Sequence, residues 1–157
     1  RGFPAPTSME YVEAYFNRYL MSSLRAENEE YTYGEDLEMQ IEEIIKMLKA
    51  GKYNQNQSCM AVGSKMSILL KDPQCARVVQ ARVRYGKFHF IIYYRSWDLW
   101  AGFPSNLAGF QLVKEYILRE VKDPNLQDGC IVALSGGLHL YDYAWKYAEK
   151  VLGKITE

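Results

Sequence analysis

Apolar residues recur along this chain with two periods, and the switches between them outline a mixed fold. Tyr11, Tyr15, Phe16 and Tyr19 fall on one side of a helix predicted near residues 8 to 21, because positions three and four apart share a helix face. Thr7-x-x-Glu10 reads as a capping box at its start. An acidic loop occupies 22 to 32. Leu37, Ile41, Ile44, Ile45 and Leu48 repeat the helical spacing over 35 to 49, with Gly34 just before it. Glu42 and Lys46 add an i,i+4 pair to that helix, and Ala50-Gly51-Lys52 ends it.

From residue 57 the period shortens. Residues 57 to 63 predict a strand, followed by a loop to Pro73. Residues 76 to 85 alternate apolar and polar side chains, as a half-buried strand does. Gly86-Lys87 is a two-residue turn signal, and 88 to 94 is the returning strand. The helical spacing then resumes over 107 to 121 through Leu107, Phe110, Val113, Ile117 and Val121. A short buried strand at 131 to 134 and a last helix at 142 to 152 complete the pattern. No internal repeat, linker or low-complexity tract interrupts it.

Composition narrows the reading. With 157 residues, 48% of them hydrophobic, the chain suffices for a single domain with its own core, spanning 1 to 157. A formal net charge of zero points to neither a nucleic-acid groove nor a membrane surface. Cys59, Cys75 and Cys130 are odd in number and irregularly spaced, with no CxxC pair. They suggest no zinc or other metal site, no disulfide framework, and a reducing, cytoplasmic setting. The apolar runs are too short to span a bilayer, and residues 1 to 6 lack the apolar core of a signal peptide. The first residue is Arg, so the expectation is an N-terminally incomplete or processed chain.

The chemistry gathers around one stretch, Arg95-Ser-Trp-Asp-Leu-Trp-Ala-Gly-Phe-Pro-Ser-Asn106, with Cys75 twenty residues before it. Cys75 sits where a loop enters a strand, a place that holds a thiol at a sheet edge. The hairpin between Cys75 and Arg95 has antiparallel arms and brings the two together. A guanidinium beside a thiol lowers its pKa and favours the reactive thiolate. The plain alternative for Cys75 is a small buried hydrophobe. Arg95 offers a planar fork of donors suited to a phosphate; its alternative is a surface salt bridge. Asn106 carries one acceptor and one donor group, a pattern that complements N3–H and O4 of uracil. Its alternative is capping of the helix that follows Pro104. His139 and Tyr141 share a face if 138 to 142 is extended.

Cys75, the hairpin, R-S-x-D-x-x-x-G-x-P-x-N, the helix and then Gly137-Leu138-His139-Leu140-Tyr141 together resemble the thymidylate synthase family over residues 31 to 145. The resemblance implies an α+β fold of the thymidylate synthase and dCMP hydroxymethylase type, a mixed sheet with packed helices. It implies Cys75 as nucleophile, Arg95 and Ser96 on the nucleotide phosphate, and Asn106 as the reader of uracil where cytosine hydroxymethylases carry Asp. It further implies Asp98 on the pterin ring of the folate, Gly102 at a close approach to it, and His139 and Tyr141 on the deoxyribose 3′-hydroxyl. Tyr33 matches the tyrosine that helps remove the C5 proton, and Gln80 a glutamine at the active-site end of its strand. Cys59 and Cys130 have no matching context and read as structural.

The implied reaction converts dUMP to dTMP with 5,10-methylenetetrahydrofolate or a related methylene-pterin as cosubstrate, in a cytoplasmic homodimer. The chain departs from the family pattern in places. No counterpart of the phosphate-binding arginine loop, catalytic glutamate and tryptophan precedes residue 31. Residues 53 to 57 have no arginine where two usually reach the partner's phosphate. Ala76 stands for the histidine after the nucleophile, Gln74 for the proline before it, and the long C-terminal part has no counterpart. The wording Glu29-Glu-Tyr-Thr-Tyr-Gly34 and the short C-terminus resemble the compact archaeal branch. Two alternatives therefore stand beside the synthase: a pyrimidine-nucleotide hydroxymethylase, and a non-catalytic nucleotide-binding relative.

Overall fold

Ser8, not Thr7, starts the first helix in the structure, a computed structural model that describes residues 3–154. Its hydroxyl accepts the backbone N–H of Tyr11 at 3.2 Å. Thr7 instead accepts from Ser105 Oγ at 2.9 Å, and the capping box expected at Thr7-x-x-Glu10 does not form. Helix α1 (Met9–Tyr15) runs directly into a π-helical turn, Phe16–Leu20, where one continuous α-helix was expected. That turn packs Tyr15 and Leu20 onto Gly109 of α3 (Gly102–Val121), where an added Cβ would lie 2.8 Å from each side chain.

Helix α2 (Gly34–Lys49) is fixed to the chain before it. Thr32 Oγ1 donates to the Ser22 carbonyl at 2.7 Å and accepts from the Glu35 N–H at 3.3 Å. Gly34 lies so close to residue 22 that a Cβ would stand 2.2 Å from the Ser22 carbonyl oxygen. Backbone cannot yield there as a side chain can. Gly34→Ala is expected to destabilise the fold by about 3 kcal/mol through overpacking. Urea unfolding checks this, and an unchanged midpoint would contradict it.

The strands are β1 (Cys59–Ala61), β2 (Ala76–Arg84), β3 (Lys87–Tyr94), β4 (Trp97–Asp98), β5 (Gln127–Ser135) and β6 (Leu138–His139). The main sheet has the order β1-β2-β3-β5, with β1, β2 and β3 antiparallel in turn and β5 parallel to β3. A parallel neighbour needs a crossover, which α3 supplies. The fold is α+β with a mixed sheet, as expected.

The hairpin turn consists of Tyr85 and Gly86, one residue earlier than expected. Arg84 pairs with Lys87, and the two residues between have φ of 52° and 71°. A two-residue turn matching the sheet twist needs left-handed conformations at both positions. β5 is longer than expected and only half covered: Val132 and Leu134 are exposed, because alternation along a strand turns them away from the helices.

Phe88, Phe90, Ile92 and Tyr94 of β3 and Val79 of β2 face the helices and are fully buried with Leu37, Ile41, Phe110, Val113 and Ile117. Lys114 is buried in the same layer. Its ammonium donates to the Gly129 carbonyl at 2.5 Å and pairs with Asp128 at 3.0 Å, tying α3 to β5. The opposite sheet face carries Val78, Gln80, Arg82, His89, Ile91, Tyr93, Val132 and Leu134, of which Tyr93, Val132 and Leu134 are exposed. Helix α4 (Asp142–Val151) follows β6.

Candidate active site

Two irregularities in the sheet create the site. The β2–β3 register slips at Arg77, between the pairs Ala76–Tyr94 and Val78–Tyr93. A bulge of this kind bends a strand and re-aims the residues next to it, here Cys75. The β3–β5 pair breaks off at Tyr94 and Ser135 and resumes as the parallel pair β4–β6. Between the two pairs lie Arg95 and Ser96, with Gly136 and Gly137 alongside.

The Arg95 N–H donates to the Cys75 carbonyl at 2.8 Å, so the residues are hairpin partners, as expected. The guanidinium folds back over the loop before the nucleophile candidate. Nε donates to the Gln74 carbonyl at 3.2 Å, and Nη2 to the Pro73 carbonyl at 2.5 Å. Nη2 also lies 3.4 Å from an Asp72 carboxylate oxygen and 4.0 Å from Cys75 Sγ.

Burial pushes the Cys75 thiol up, while the Arg95 charge pulls it down less strongly; Asp72 and Asp98 add to the rise. The sequence predicts a thiol lowered by arginine, and the structure supplies that effect but lets burial outweigh it. With Cys59 and Cys130 changed to Ser, alkylation of Cys75 is expected to be slow at neutral pH. Its rate should climb with pH beyond the usual thiol range, since only the thiolate reacts. Arg95→Ala should move the midpoint higher still, and a midpoint below that of a free cysteine would contradict this.

Tyr33, in the bend that starts α2, places its buried hydroxyl against the other side of the bulge. It accepts the Ala76 N–H at 3.1 Å, and burial holds its phenol far above the ordinary tyrosine range. Tyr19 and Tyr31 stand around its ring at 5.4 and 5.7 Å. Ser96 and His139 meet across β4–β6, Oγ to Nδ1 at 3.0 Å, and the Tyr141 ring packs edge-on against His139 at 5.1 Å.

Asp98 braces the turn that leads into α3. Its carboxylate accepts the backbone N–H groups of Trp100, Ala101 and Gly102 at 3.0–3.1 Å. Helix α3 therefore starts five residues before the predicted position, and the helix-capping alternative for Asn106 falls away. Asn106 Oδ1 accepts from the Trp97 indole N–H at 2.9 Å, and Nδ2 donates to the Tyr15 hydroxyl at 2.9 Å. A cavity of about 520 Å³ opens beside it, lined by Tyr11, Tyr15, Gly102, Ser105 and residues 5–8.

The structure thus gathers Cys75, Arg95, Tyr33, Ser96, His139, Asp98, Gly102 and Asn106 at one end of the sheet. It does not bring Gln80 there. Gln80 pairs between Cys59 and Ile91 on the opposite face, away from the helix layer that contains Tyr33 and Tyr94. Cys59 and Cys130 are exposed, with Cys130 Sγ 3.2 Å from His89 Nδ1.

Sequence reasoning missed Tyr15, Trp97 and Tyr94. Tyr94 is fully buried, stacks on Trp97 at 4.0 Å, and its hydroxyl has no hydrogen-bond partner among the described residues. Tyr15 read only as part of a helix stripe, Tyr94 as the end of a strand, and Trp97 as an unspecified position of the motif. The one available signal was Trp97 and Tyr94 flanking the Arg95-Ser96 pair.

The structure thus pairs a half-buried thiol with an arginine through the backbone and anchors a carboxamide between Trp97 and Tyr15. The family described as thymidylate synthase matches residues 18–156, and the chain belongs to it. The chain is 27% identical to a provisionally named thymidylate synthase of Methanosarcina acetivorans, over 94% of this chain and 69% of that protein. A provisionally named thymidylate synthase of Methanosarcina mazei is also 27% identical, over 98% of this chain and 72% of that protein. A Listeria monocytogenes thymidylate synthase is 30% identical over 66% of this chain and 32% of its own length.

Proposed function

We propose that this chain catalyses the reductive methylation of dUMP to dTMP, with 5,10-methylenetetrahydrofolate or a related methylene-pterin as cosubstrate. The observation that carries the reading is the pairing of Cys75 with Arg95 across the bulged hairpin, which sets a thiol 4.0 Å from a guanidinium. A phosphate bound by Arg95 and Ser96 would lay the pyrimidine ring alongside Cys75. The thiolate then adds to C6, and C5 becomes an enolate-like nucleophile.

Asn106 meets N3–H and O4, where charge develops. Tyr33 stands beside the nucleophile, its phenol kept neutral by burial; the second lone pair of its hydroxyl oxygen can accept from, and so orient, a water that takes the C5 proton. His139 and Tyr141 serve the deoxyribose. Asp98 and Gly102 take the pterin in this reading, the Asp98 carboxylate with the lone pairs left over from the three backbone N–H groups it already accepts. The cosubstrate supplies the one-carbon unit and a hydride.

Incubation with dUMP and methylenetetrahydrofolate should yield dTMP and dihydrofolate, separable by chromatography. 5-Hydroxymethyl-dUMP as product would turn the reading to a hydroxymethylase, and no product would refute catalysis. The half-buried thiol, its pKa raised, and an Arg95 already engaged with loop carbonyls favour, as second reading, a non-catalytic dUMP-binding relative. A cytoplasmic setting fits the three free cysteines.

A homodimer belongs to the same reading. The outer sheet face exposes Tyr93, Val132 and Leu134 by 44%, 46% and 56%, flanked by Val78 and Ile91, with Gln80, Arg82 and His89 further along it. Contiguous exposed apolar residues such as Tyr93, Val132 and Leu134 often mark an interface. Light scattering is expected to report twice the chain mass of 18.2 kDa; a monomer would refute the dimer.

A further inference from the structure

We infer that Trp97 is the positioning residue that makes the Asn106 carboxamide selective for uracil over cytosine, by fixing which way round the amide stands. The inference rests on the dUMP reading above. A carboxamide has nearly the same shape when turned by half a revolution, but the turn exchanges its acceptor and its donor. Uracil presents N3–H as donor and O4 as acceptor; cytosine presents N3 as acceptor and its amino group as donor. An amide free to turn would satisfy either ring. Asparagine alone therefore does not select, and something chemically one-sided must hold it.

The indole is one-sided. Its N–H only donates, and it stands 2.9 Å from Asn106 Oδ1. Turning the amide would set an NH₂ group against that N–H, donor against donor, with Trp97 only 3% exposed. The Tyr15 hydroxyl on the other side donates or accepts with equal ease, so it tolerates both orientations. The bias towards uracil thus comes from Trp97, and Tyr15 contributes anchoring without preference.

The surroundings keep the indole in place. It lies flat on Tyr94 at 4.0 Å with 7° between the rings and touches Phe103 at 4.6 Å. Its backbone N–H donates to the Gly137 carbonyl at 2.9 Å. Gly109 leaves room for the Tyr15 ring against α3, where a Cβ would stand 2.8 Å away. With these partners in place, Oδ1 keeps a second lone pair and Nδ2 a second hydrogen for the base.

The test is titration of dUMP and dCMP against the wild-type chain, Trp97→Phe and Tyr15→Phe. Trp97→Phe should narrow the dCMP-to-dUMP ratio of Kd by about tenfold or more, mainly by tightening dCMP. Tyr15→Phe should weaken both nucleotides alike. A folded Trp97→Phe that keeps the wild-type ratio overturns the inference and leaves the dUMP reading standing, whereas a wild-type chain that binds no dUMP overturns both.

A ligand-free measurement covers failure of Trp97→Phe to fold. The chain has three tryptophans, so Trp100→Phe and Trp145→Phe identify the Trp97 indole N–H resonance by elimination. Asn106→Ala should shift that resonance and speed its hydrogen exchange; no change would show that the clamp does not exist.

Discussion

Cys75→Ser is expected to abolish the covalent adduct with 5-fluoro-dUMP and to lower kcat by roughly 10⁴-fold or more, the scale for removing a nucleophile. Cys59→Ser and Cys130→Ser should leave the adduct intact. The contrast follows from placement. Cys75 lies beside the bulge at Arg77, within reach of Arg95 and next to the residue whose N–H meets Tyr33. Cys59 and Cys130 lie on strands β1 and β5, away from that end of the sheet. Mass spectrometry of the denatured protein reads the adduct directly. Adduct formation by the Cys75 variant would assign the chemistry to another residue.

Arg95→Ala is expected to weaken dUMP binding by about 1.5–3 kcal/mol for each charge-assisted hydrogen bond lost to the phosphate. Residues 53–57 carry no arginine, so Arg95 is the main cation of the proposed phosphate site. Arg95 also holds the Pro73 and Gln74 carbonyls, and collapse of that loop would weaken any ligand. Calorimetric titration with dUMP and with deoxyuridine separates the two effects. The phosphate role predicts a large loss for dUMP and little change for deoxyuridine; equal losses would reduce Arg95 to a loop anchor. Arg95→Lys should fall between, since a point charge replaces a planar fork.

Much of this was legible because periodicity reports burial. Leu37 through Leu48, the alternation in β2 and the apolar run of β3 each specify an element and its buried face. The pairing of Cys75 with Arg95 followed from hairpin geometry alone. What escaped was decided by competition between neighbours or by distant parts of the chain. Ser8, not Thr7, caps α1, while the Thr7 hydroxyl meets Ser105, ninety-eight residues on. Asn106 is not a cap because α3 already begins at Gly102, after a turn that Asp98 braces by accepting the N–H groups of Trp100, Ala101 and Gly102. Gln80 lies two residues beyond the bulge pair at Val78, on the face that alternation turns from the site. Tyr15 meets Asn106 across ninety-one positions of sequence, so its hydroxyl could not be placed before the fold was known.

The central claim is that Cys75 activates C5 of dUMP for one-carbon transfer. It is tested most directly by following release of tritium from [5-³H]dUMP, with and without methylenetetrahydrofolate, in the wild-type chain and in Cys75→Ser. The account predicts release that depends on the folate and is lost in Cys75→Ser. Absence of release from a wild-type chain that binds dUMP, or release unchanged in Cys75→Ser, would contradict it.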